Sequence, residues 1–434
     1  KINGITSDSR NVMPGFIFAA LPGSKTNGKK FISDAINKGA VVVIAETGTK
    51  ISCSDTLLIT SDNPRSKYAK IASKFYTEKP SWLGAVTGTN GKTSVACFTF
   101  QLWNSMNLKG AAIGTLGINS IEYKSSLDLT TPEPVTLHRE LSEISTRGLD
   151  YAIIEASSHG LDQSRLDGIT FEAAAFTNLS HDHLDYHKNM KNYLNSKLYL
   201  FNKLIKKKGD IITDENIPQK KILKNISFKR NVNFNLIFNR YKGIELVRHK
   251  YENERQVLEI RYKNKNYIIN LNLIGKIQIK NILMAILAAH KSGLEFNKII
   301  DVIHKIKPVE GRLEKIGKIK NRSKVVLDYA HTPGALEIAL LNLKGQFPSS
   351  KINLVFGCGG ERDFKKRSMM GKIAEKYSDS IYLTDDNPRN ENPSKIRKDI
   401  KKGIKKKKIN EFPNRKKAIQ EAIMSLKTGD LLLV

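Results

Sequence analysis

Gly88-Thr-Asn-Gly-Lys92-Thr93 closes an apolar run that begins at Trp82 and opens a segment read as a helix. Strand, glycine-rich turn, Lys-Thr and helix together make a cradle for nucleotide phosphates. The glycines let backbone N–H groups approach the anion, and the helix N-terminus adds partial positive charge. In this reading Gly88, Thr89, Asn90 and Gly91 form the cradle, Lys92 reaches the outer phosphates of ATP, and the Thr93 hydroxyl holds Mg²⁺. The first glycine of the common pattern would fall on Val86, so the loop is the shortened form Gly-x-x-Gly-Lys-Thr.

Two further clusters carry chemistry. Glu155 ends a short apolar run and is followed by Ala-Ser-Ser-His-Gly. Behind a phosphate loop, an acid at a strand end is placed to bind the nucleotide's Mg²⁺, directly or through water. His181-Asp-His183-Leu-Asp-Tyr-His187 sets three histidines and two aspartates in seven residues. A role at a metal–phosphate centre is favoured; zinc is disfavoured because no cysteine is nearby, and surface hydrogen bonding is the alternative for any single histidine.

These groups need elements to hold them. Residues 1–80 read as a small α/β unit, with a helical segment near Phe31–Lys38 and strands at Ala40–Ala45 and Thr56–Thr60; Pro80 marks the boundary. Residues 81–306 read as a central unit of alternating strands and helices. Asp150–Glu155 and Ala173–Asn178 are expected as buried parallel strands, and a helix is expected over Gln278–Lys291. Asn231–Phe238, Gly243–Arg248 and Arg255–Leu273 alternate and suggest an antiparallel insertion or sheet edge. Pro308–Arg312 reads as a linker into a third unit, 307–434, with strands at Lys324–Asp328, Asn353–Phe356 and Ser380–Thr384. The expected class is α/β, with a central phosphate-loop ATPase-like parallel sheet flanked by a small N-terminal α/β domain and a C-terminal Rossmann-like domain.

Composition narrows the partners. The chain has 434 residues, 40% of them hydrophobic, and its longest notable apolar run, Ile282–Ala289, is far short of a membrane span. No signal-peptide core follows Lys1, and three widely spaced cysteines (Cys53, Cys97, Cys358) suit a reducing cytoplasm. A net charge of +30 invites a nucleic-acid reading, but the lysines are dispersed and do not interleave with aromatics. Anionic small-molecule substrates are expected instead, with no nucleic acid and no membrane insertion. The densest basic run, Lys405–Lys408, reads as a solvated helix end.

The phosphate loop, Glu155–His159, Asn178–His187 and Asp328-Tyr-Ala-His-Thr-Pro333 together resemble the Mur ligases, in the same order and over nearly the whole chain. Those enzymes join amino acids to the UDP-muramoyl peptide precursor of the bacterial cell wall. Ser7-Asp-Ser9-Arg10, Thr130-Thr131-Pro-Glu133, Gly311-Arg312-Leu-Glu314, Gly357-Cys-Gly-Gly-Glu-Arg362-Asp363 and Asp386-Asn387-Pro388-Arg389 resemble the member that adds the third residue after D-glutamate. In that family Asp-Asn-Pro-Arg marks selection of meso-diaminopimelate. The physics agrees, because diaminopimelate carries a second carboxylate where lysine has only hydrogens, and an arginine can bind a carboxylate bidentately.

The resemblance implies a monomeric, cytoplasmic ligase that uses ATP, the UDP-muramoyl dipeptide and meso-diaminopimelate and passes through an acyl phosphate. It implies catalytic roles for Lys92, Glu155, His183 and Lys197. Lys197, by local sequence an ordinary helical lysine, would carry a CO₂-derived carbamate and join Thr93, Glu155 and His183 in holding Mg²⁺. It further implies uridine contacts at Ser9, Ser24, Lys25 and Thr26, and muramoyl-peptide contacts at Thr130, Thr131, Ser157, Gln163 and Arg165. Nucleotide contacts are implied at Asn281, Arg312, Asp328 and His331, and amino-acid contacts at Arg362, Asp386, Asn387, Pro388 and Arg389. Family members continue into Gly-Lys-Gly-His-Glu, which lies beyond Val434; the chain also lacks an initiator Met, so truncation at both ends is expected. Leu129 stands where some relatives place asparagine, and no sugar contact is assigned to it. Another amide ligase of this superfamily, adding lysine, glutamate to folate or a later dipeptide, is the near alternative; a non-catalytic nucleotide-binding protein is the distant one.

Overall fold

A computed structural model describes every residue except Lys1, Ser24, Lys25, Ser54, Lys320, Asn321 and Arg362. Ser24, Lys25 and Arg362 of the expected contacts therefore lie outside the described residues. The secondary structure forms three sheets. In the first, strands Gly4–Thr6, Phe16–Ala19, Ala40–Glu46 and Leu57–Ser61 pair in sequence order, all parallel. Helix Pro64–Phe75 leaves this sheet with proline in its first turn and the Asn63 side chain accepting from Ser66 N–H, the chemistry a helix start requires.

The central sheet has eleven strands. Its parallel heart runs, in spatial order, Gly110–Gly114, Tyr151–Glu155, Trp82–Thr87, Phe171–Phe176, Ile205–Asp214 and Asn233–Ile237. All six residues of Trp82–Thr87 are buried, because helices cover both faces of the sheet. Helices Lys92–Ser105 and Lys276–Lys291 supply one core, packed around Phe98, Trp103 and Ile282–Ala289. Helices Pro134–Thr146 and Met190–Tyr199 contribute to the other. The registers Val86↔Glu155, Thr87↔Phe176 and Ile113↔Ile154 bring the C-terminal ends of four neighbouring strands to one edge. That edge is where open parallel sheets hold ligands. The third sheet orders its strands Glu314–Lys318, Lys324–Leu327, Leu431–Leu433, Ile352–Phe356, Ser380–Leu383 and Ile409–Glu411, with only the first pairing antiparallel.

Three sequence expectations change. The three stretches do form one edge of the central sheet, but Asn233–Ile237 is not antiparallel: helix Lys220–Arg230 supplies the crossover that lets it run parallel to Ile205–Asp214, and antiparallel pairing begins only between Gly243–Glu252 and Arg255–Tyr262. Arg255–Leu273 splits into two strands, since Lys263 and Asn264 both take positive φ and turn the chain. Lys405–Lys408 is not a helix end, because helix Pro393–Lys401 stops before it. There the backbone N–H groups of Lys405, Lys406 and Lys407 wrap the Glu375 carboxylate, which binds successive amides as an anion in a nest. Among the described residues no helix is long and apolar enough to cross a membrane.

Candidate active site

The phosphate loop leaves Thr87 and turns at Gly88, whose φ is 146°; a Cβ there would sit 1.9 Å from Thr177 Oγ1. Gly91, with φ 88°, starts the helix, and a Cβ there would lie 2.5 Å from Asn281 Oδ1. Both positions need glycine, for conformation and for space. The strand end beside the loop grips it. Thr177 Oγ1 and Asn178 Nδ2 donate to the Asn90 carbonyl at 2.6 and 3.1 Å, and Asn90 N–H donates to Asn178 Oδ1 at 3.0 Å. Thr89 Oγ1 accepts from Ser180 N–H and pairs with the Tyr193 hydroxyl at 3.1 Å. The cradle is thus preformed.

Its charges are arranged for a polyanion. Lys92 Nζ folds back on the Gly88 and Thr89 carbonyls at 3.0 and 2.9 Å. Lys197 Nζ donates to the same Gly88 carbonyl at 2.8 Å and lies 4.4 Å from the centre of the Tyr193 ring. Burial, and then the neighbouring Lys92 charge, hold the Lys197 amine well below the ordinary lysine range. Burial lowers Lys92 as well. Arg312 reaches in from the end of the linker, Nη2 donating to Thr93 Oγ1 at 3.2 Å and its guanidinium lying 4.9 Å from the centre of the Tyr329 ring.

Glu155 is 2% exposed and accepts from Thr93 Oγ1 at 2.9 Å and from Thr115 N–H at 2.8 Å. An all-oxygen pair of hydroxyl and carboxylate, with no cysteine or histidine between them, suits a hard cation such as Mg²⁺. Gly114 makes room for it: a Cβ there would stand 2.0 Å from Glu155 Oε1. Among the described residues no three His, Cys, Asp or Glu side chains converge as a metal cluster. The four expected Mg²⁺ ligands form two groups, Thr93 against Glu155, and Lys197 and His183 each near the Tyr193 ring, at 4.4 and 6.3 Å from its centre.

The histidine cluster is a box of rings. His159 meets His183, Tyr186 and His187 with centroids 4.8, 4.2 and 5.5 Å apart. Burial, then the positive neighbours His183 and His187, push His159 down to about 4, and burial also lowers His183 against the opposing pull of Asp182. Burial thus disfavours the charged form of both rings.

A chain of hydrogen bonds runs from the phosphate edge along the peptide-contact set. Thr130 pairs with Thr115 at 3.0 Å, and Thr131 Oγ1 donates to the Glu155 carbonyl at 2.6 Å. Ser157 N–H donates to Thr131 Oγ1, Arg165 Nη1 to the Thr131 carbonyl, and Arg165 Nη2 to Gln163 Oε1. Ser9, whose carbonyl accepts from Lys38 Nζ at 3.0 Å, and the exposed Thr26 belong to the N-terminal unit.

The third unit faces the histidines across a cleft of about 370 Å³. Its lining includes Asp182, His183, His331, Lys366, Asp386, Asn387 and Arg389. His181 Nε2 approaches Asp363 at 3.7 Å across it. Arg389, with φ 51°, directs Nη1 to the Gly360 carbonyl at 2.6 Å, and the Pro388 carbonyl accepts from Glu391 N–H. Asp328 accepts from Leu313 N–H at 2.8 Å, and its carboxyl is pushed up to about 6, mainly by burial. Asn281 Nδ2 donates to Gln278, which in turn donates to the Arg312 carbonyl at 3.0 Å. Thr115, Thr177, Tyr329 and Lys366 were not singled out by sequence reasoning. The first two follow strands at the ligand edge, a position signal that could have found them.

A preformed phosphate loop on a parallel sheet, facing a second α/β unit across a charged cleft, defines a nucleotide-dependent enzyme of the α/β class. Family models match along the chain: Mur ligase family, catalytic domain, over residues 1–88; Mur ligase middle domain over 86–289; and Mur ligase, glutamate ligase domain, over 311–434. The chain belongs to the Mur ligase family. It is 42% identical to a UDP-N-acetylmuramoyl-L-alanyl-D-glutamate--2,6-diaminopimelate ligase of Rhizobium meliloti (strain 1021), covering all of this chain and 88% of that one. A solved structure of a ligase with the same name matches with a TM-score of 0.73 at 28% identity, over all of this chain and 88% of its own. The Thermotoga maritima MurF ligase in complex with ADP shares the fold at 18% identity, with a TM-score of 0.68 over 99% of this chain and 93% of its own.

Proposed function

We propose that this chain is an ATP-dependent ligase that adds meso-diaminopimelate to UDP-N-acetylmuramoyl-L-alanyl-D-glutamate, a cytoplasmic step of peptidoglycan synthesis. The observation that carries the reading is the shared cleft, in which Asp386, Asn387 and Arg389 line one wall and Asp182 and His183 the other. The names of the relatives agree with it. In this reading residues 1–80 hold the uridine end through Ser9 and Thr26, residues 81–306 hold ATP and the peptide, and residues 307–434 bring the incoming amino acid.

The chemistry is a carboxylate meeting a triphosphate, two anions that repel, so cations must supply most of the stabilisation. The D-glutamate carboxylate attacks the γ-phosphorus of ATP and the bond to ADP breaks, leaving an acyl phosphate. The amine of the acceptor then attacks the acyl carbon, phosphate departs, and the amine's proton is lost. Lys92, released from the Gly88 and Thr89 carbonyls, lies against the outer phosphates. Arg312 brings positive charge to the same edge from the third unit. Thr93 and Glu155 would hold one Mg²⁺, and His183 with Lys197 as its carbamate a second; bound there, the metal neutralises charge on phosphate and acyl oxygens. The buried, uncharged tendency of the Lys197 amine is what carbamate formation needs, because only the free amine reacts with CO₂. Thr131, Ser157, Gln163 and Arg165 orient the peptide. Arg389 takes the far carboxylate of the acceptor, and closure of the third unit over the cleft keeps water from the acyl phosphate.

The test is ADP release by the full-length protein with the UDP-muramoyl dipeptide and Mg²⁺, comparing meso-diaminopimelate with L-lysine. Release with diaminopimelate and little with lysine is expected. Preference for lysine overturns the assignment of Arg389, and no release with either overturns the ligase reading.

A further inference from the structure

Arg367 lies on helix Lys365–Tyr377, is 0% exposed and, among the described residues, makes no hydrogen bond to an expected substrate contact. A buried guanidinium needs a reason, because taking its charge out of water is costly unless it is fully paired. Its Nη2 donates to both oxygens of Glu391 at 2.8 and 2.9 Å, its Nη1 donates to Asp399 at 3.2 Å, and Phe364 covers its face at 4.6 Å. Nε has no partner among the described residues, so the pairing found is directed toward the two acids.

Glu391 sits two residues beyond Arg389. Its carboxylate also accepts from Glu361 N–H, so one acid joins the loop 386–391 to the loop 357–361. Around that joint the two loops are zipped. Gly360 N–H donates to the Asn387 carbonyl at 2.8 Å, Asn390 Nδ2 to Glu361 Oε1 at 2.8 Å, and Arg389 Nη1 to the Gly360 carbonyl at 2.6 Å. The approach is close enough that a Cβ on Gly360 would meet the Pro388 carbonyl at 1.9 Å. Arg389 itself holds a left-handed backbone, φ 51°, which costs a non-glycine residue energy unless its surroundings impose it. Glu361 shares that strain, also with φ 51°.

We propose that Arg367 is the positioning residue for acceptor recognition: by fixing Glu391 it clamps the two loops and sets where Arg389 points into the cleft. The proposal rests on the reading of Arg389 as the contact to the acceptor's far carboxylate and deepens it. Specificity for a diacid then depends on a buried arginine that never meets the substrate. A planar fork bridging Glu391 and Asp399 cannot be replaced by a lysine, which is a single point donor.

The experiment uses the full-length protein and four forms: wild type, Arg367→Lys, Glu391→Gln and Asp399→Asn. Steady-state kinetics are measured with meso-diaminopimelate and with L-lysine, alongside thermal unfolding. Arg367→Lys and Glu391→Gln are expected to raise KM for diaminopimelate about tenfold or more, to narrow the preference over lysine, and to leave KM for ATP within about twofold. Asp399→Asn loosens the same guanidinium on the side away from the loops, and is expected to lower the melting temperature with the acceptor KM held. The proposal is overturned if Asp399→Asn shifts the acceptor KM as much as the other two, which would make the role merely structural. It is overturned alone if wild type prefers diaminopimelate and that preference survives intact in Arg367→Lys and Glu391→Gln. Wild type that does not distinguish the two amino acids refutes the reading of Arg389 itself, and this proposal with it.

Discussion

Ser66→Ala tests how the N-terminal unit is held to the centre. Asp167 is 2% exposed, yet its carboxylate sits between two units of the fold. Ser66 Oγ, from helix Pro64–Phe75, donates to it at 2.5 Å, and the Tyr199 hydroxyl, from the end of the helix that carries Lys197, reaches both oxygens at 3.0 and 2.9 Å. Burial first, and the Asp167 charge after it, push the Tyr199 phenol up to about 12, so at neutral pH it remains a donor. The adjoining loop is pinned as well: Ser73 Oγ donates to the Gly168 carbonyl at 2.8 Å, and Gly168 has φ 88° with Ser73 packed where a Cβ would go. A hydrogen bond to a buried charge is worth about 1.5–3 kcal/mol, so Ser66→Ala and Tyr199→Phe should each cost about 2 kcal/mol. The double variant strands a buried carboxylate, and about 5 kcal/mol is expected, more than the roughly 4 kcal/mol sum of the single losses, because in each single variant the remaining donor partly compensates. Urea unfolding at pH 7 followed by tryptophan fluorescence gives the three values, and amide exchange over residues 64–75 locates the loss. A cost below about 0.5 kcal/mol for Ser66→Ala, or strict additivity with amide protection of that helix unchanged, would refute the view of Asp167 as the lock between the units.

Three further outcomes follow from the same geometry. His138 is fully buried, and burial followed by the Lys79 charge pushes it down to about 4 from 6.5. The unfolded chain takes up this proton from about pH 6.5 downward and the folded chain only near pH 4, so stability should fall by about 3 kcal/mol across that window, and His138→Gln should flatten the fall in urea titrations at several pH values. Gly114→Ala places a methyl 2.0 Å from Glu155 Oε1 and should lower Mg²⁺-dependent ADP release by about a hundredfold, with a rise in the Mg²⁺ concentration for half-activity as the diagnostic readout. Lys197→Met keeps the buried volume but removes the amine; turnover should fall by about a hundredfold or more with ATP-analogue binding retained, and wild type stripped of CO₂ should lose turnover that bicarbonate restores.

What the sequence disclosed was whatever chemistry is written in consecutive residues. The phosphate loop, Glu155 at its strand end, the histidine run and Asp386–Arg389 each stand within a few positions, and each is found on the ligand edge or the cleft. The parts that stayed hidden are those made by contact between distant segments. Thr115 holds Glu155 through a backbone N–H, a group every residue but proline possesses. Thr177 and Asn178 hold the loop across roughly ninety positions, and nothing in either segment announces the other. The direction of Asn233–Ile237 stayed hidden for a related reason, though its place toward the sheet edge did not: alternation fixes which face a strand buries but not the direction of its neighbour, which the crossover helix decides. Lys197 is the extreme case. As a letter in an amphipathic helix it is ordinary; its chemistry comes from the Tyr193 ring, the Gly88 carbonyl and the nearby Lys92 charge, all of which converge only on folding. Lys92 and Lys197 share the Gly88 carbonyl, and burial lowers both amines. The loop's sequence announces that phosphate can bind. The two buried amines that meet at the Gly88 carbonyl come from segments about a hundred positions apart, and only folding brings them together.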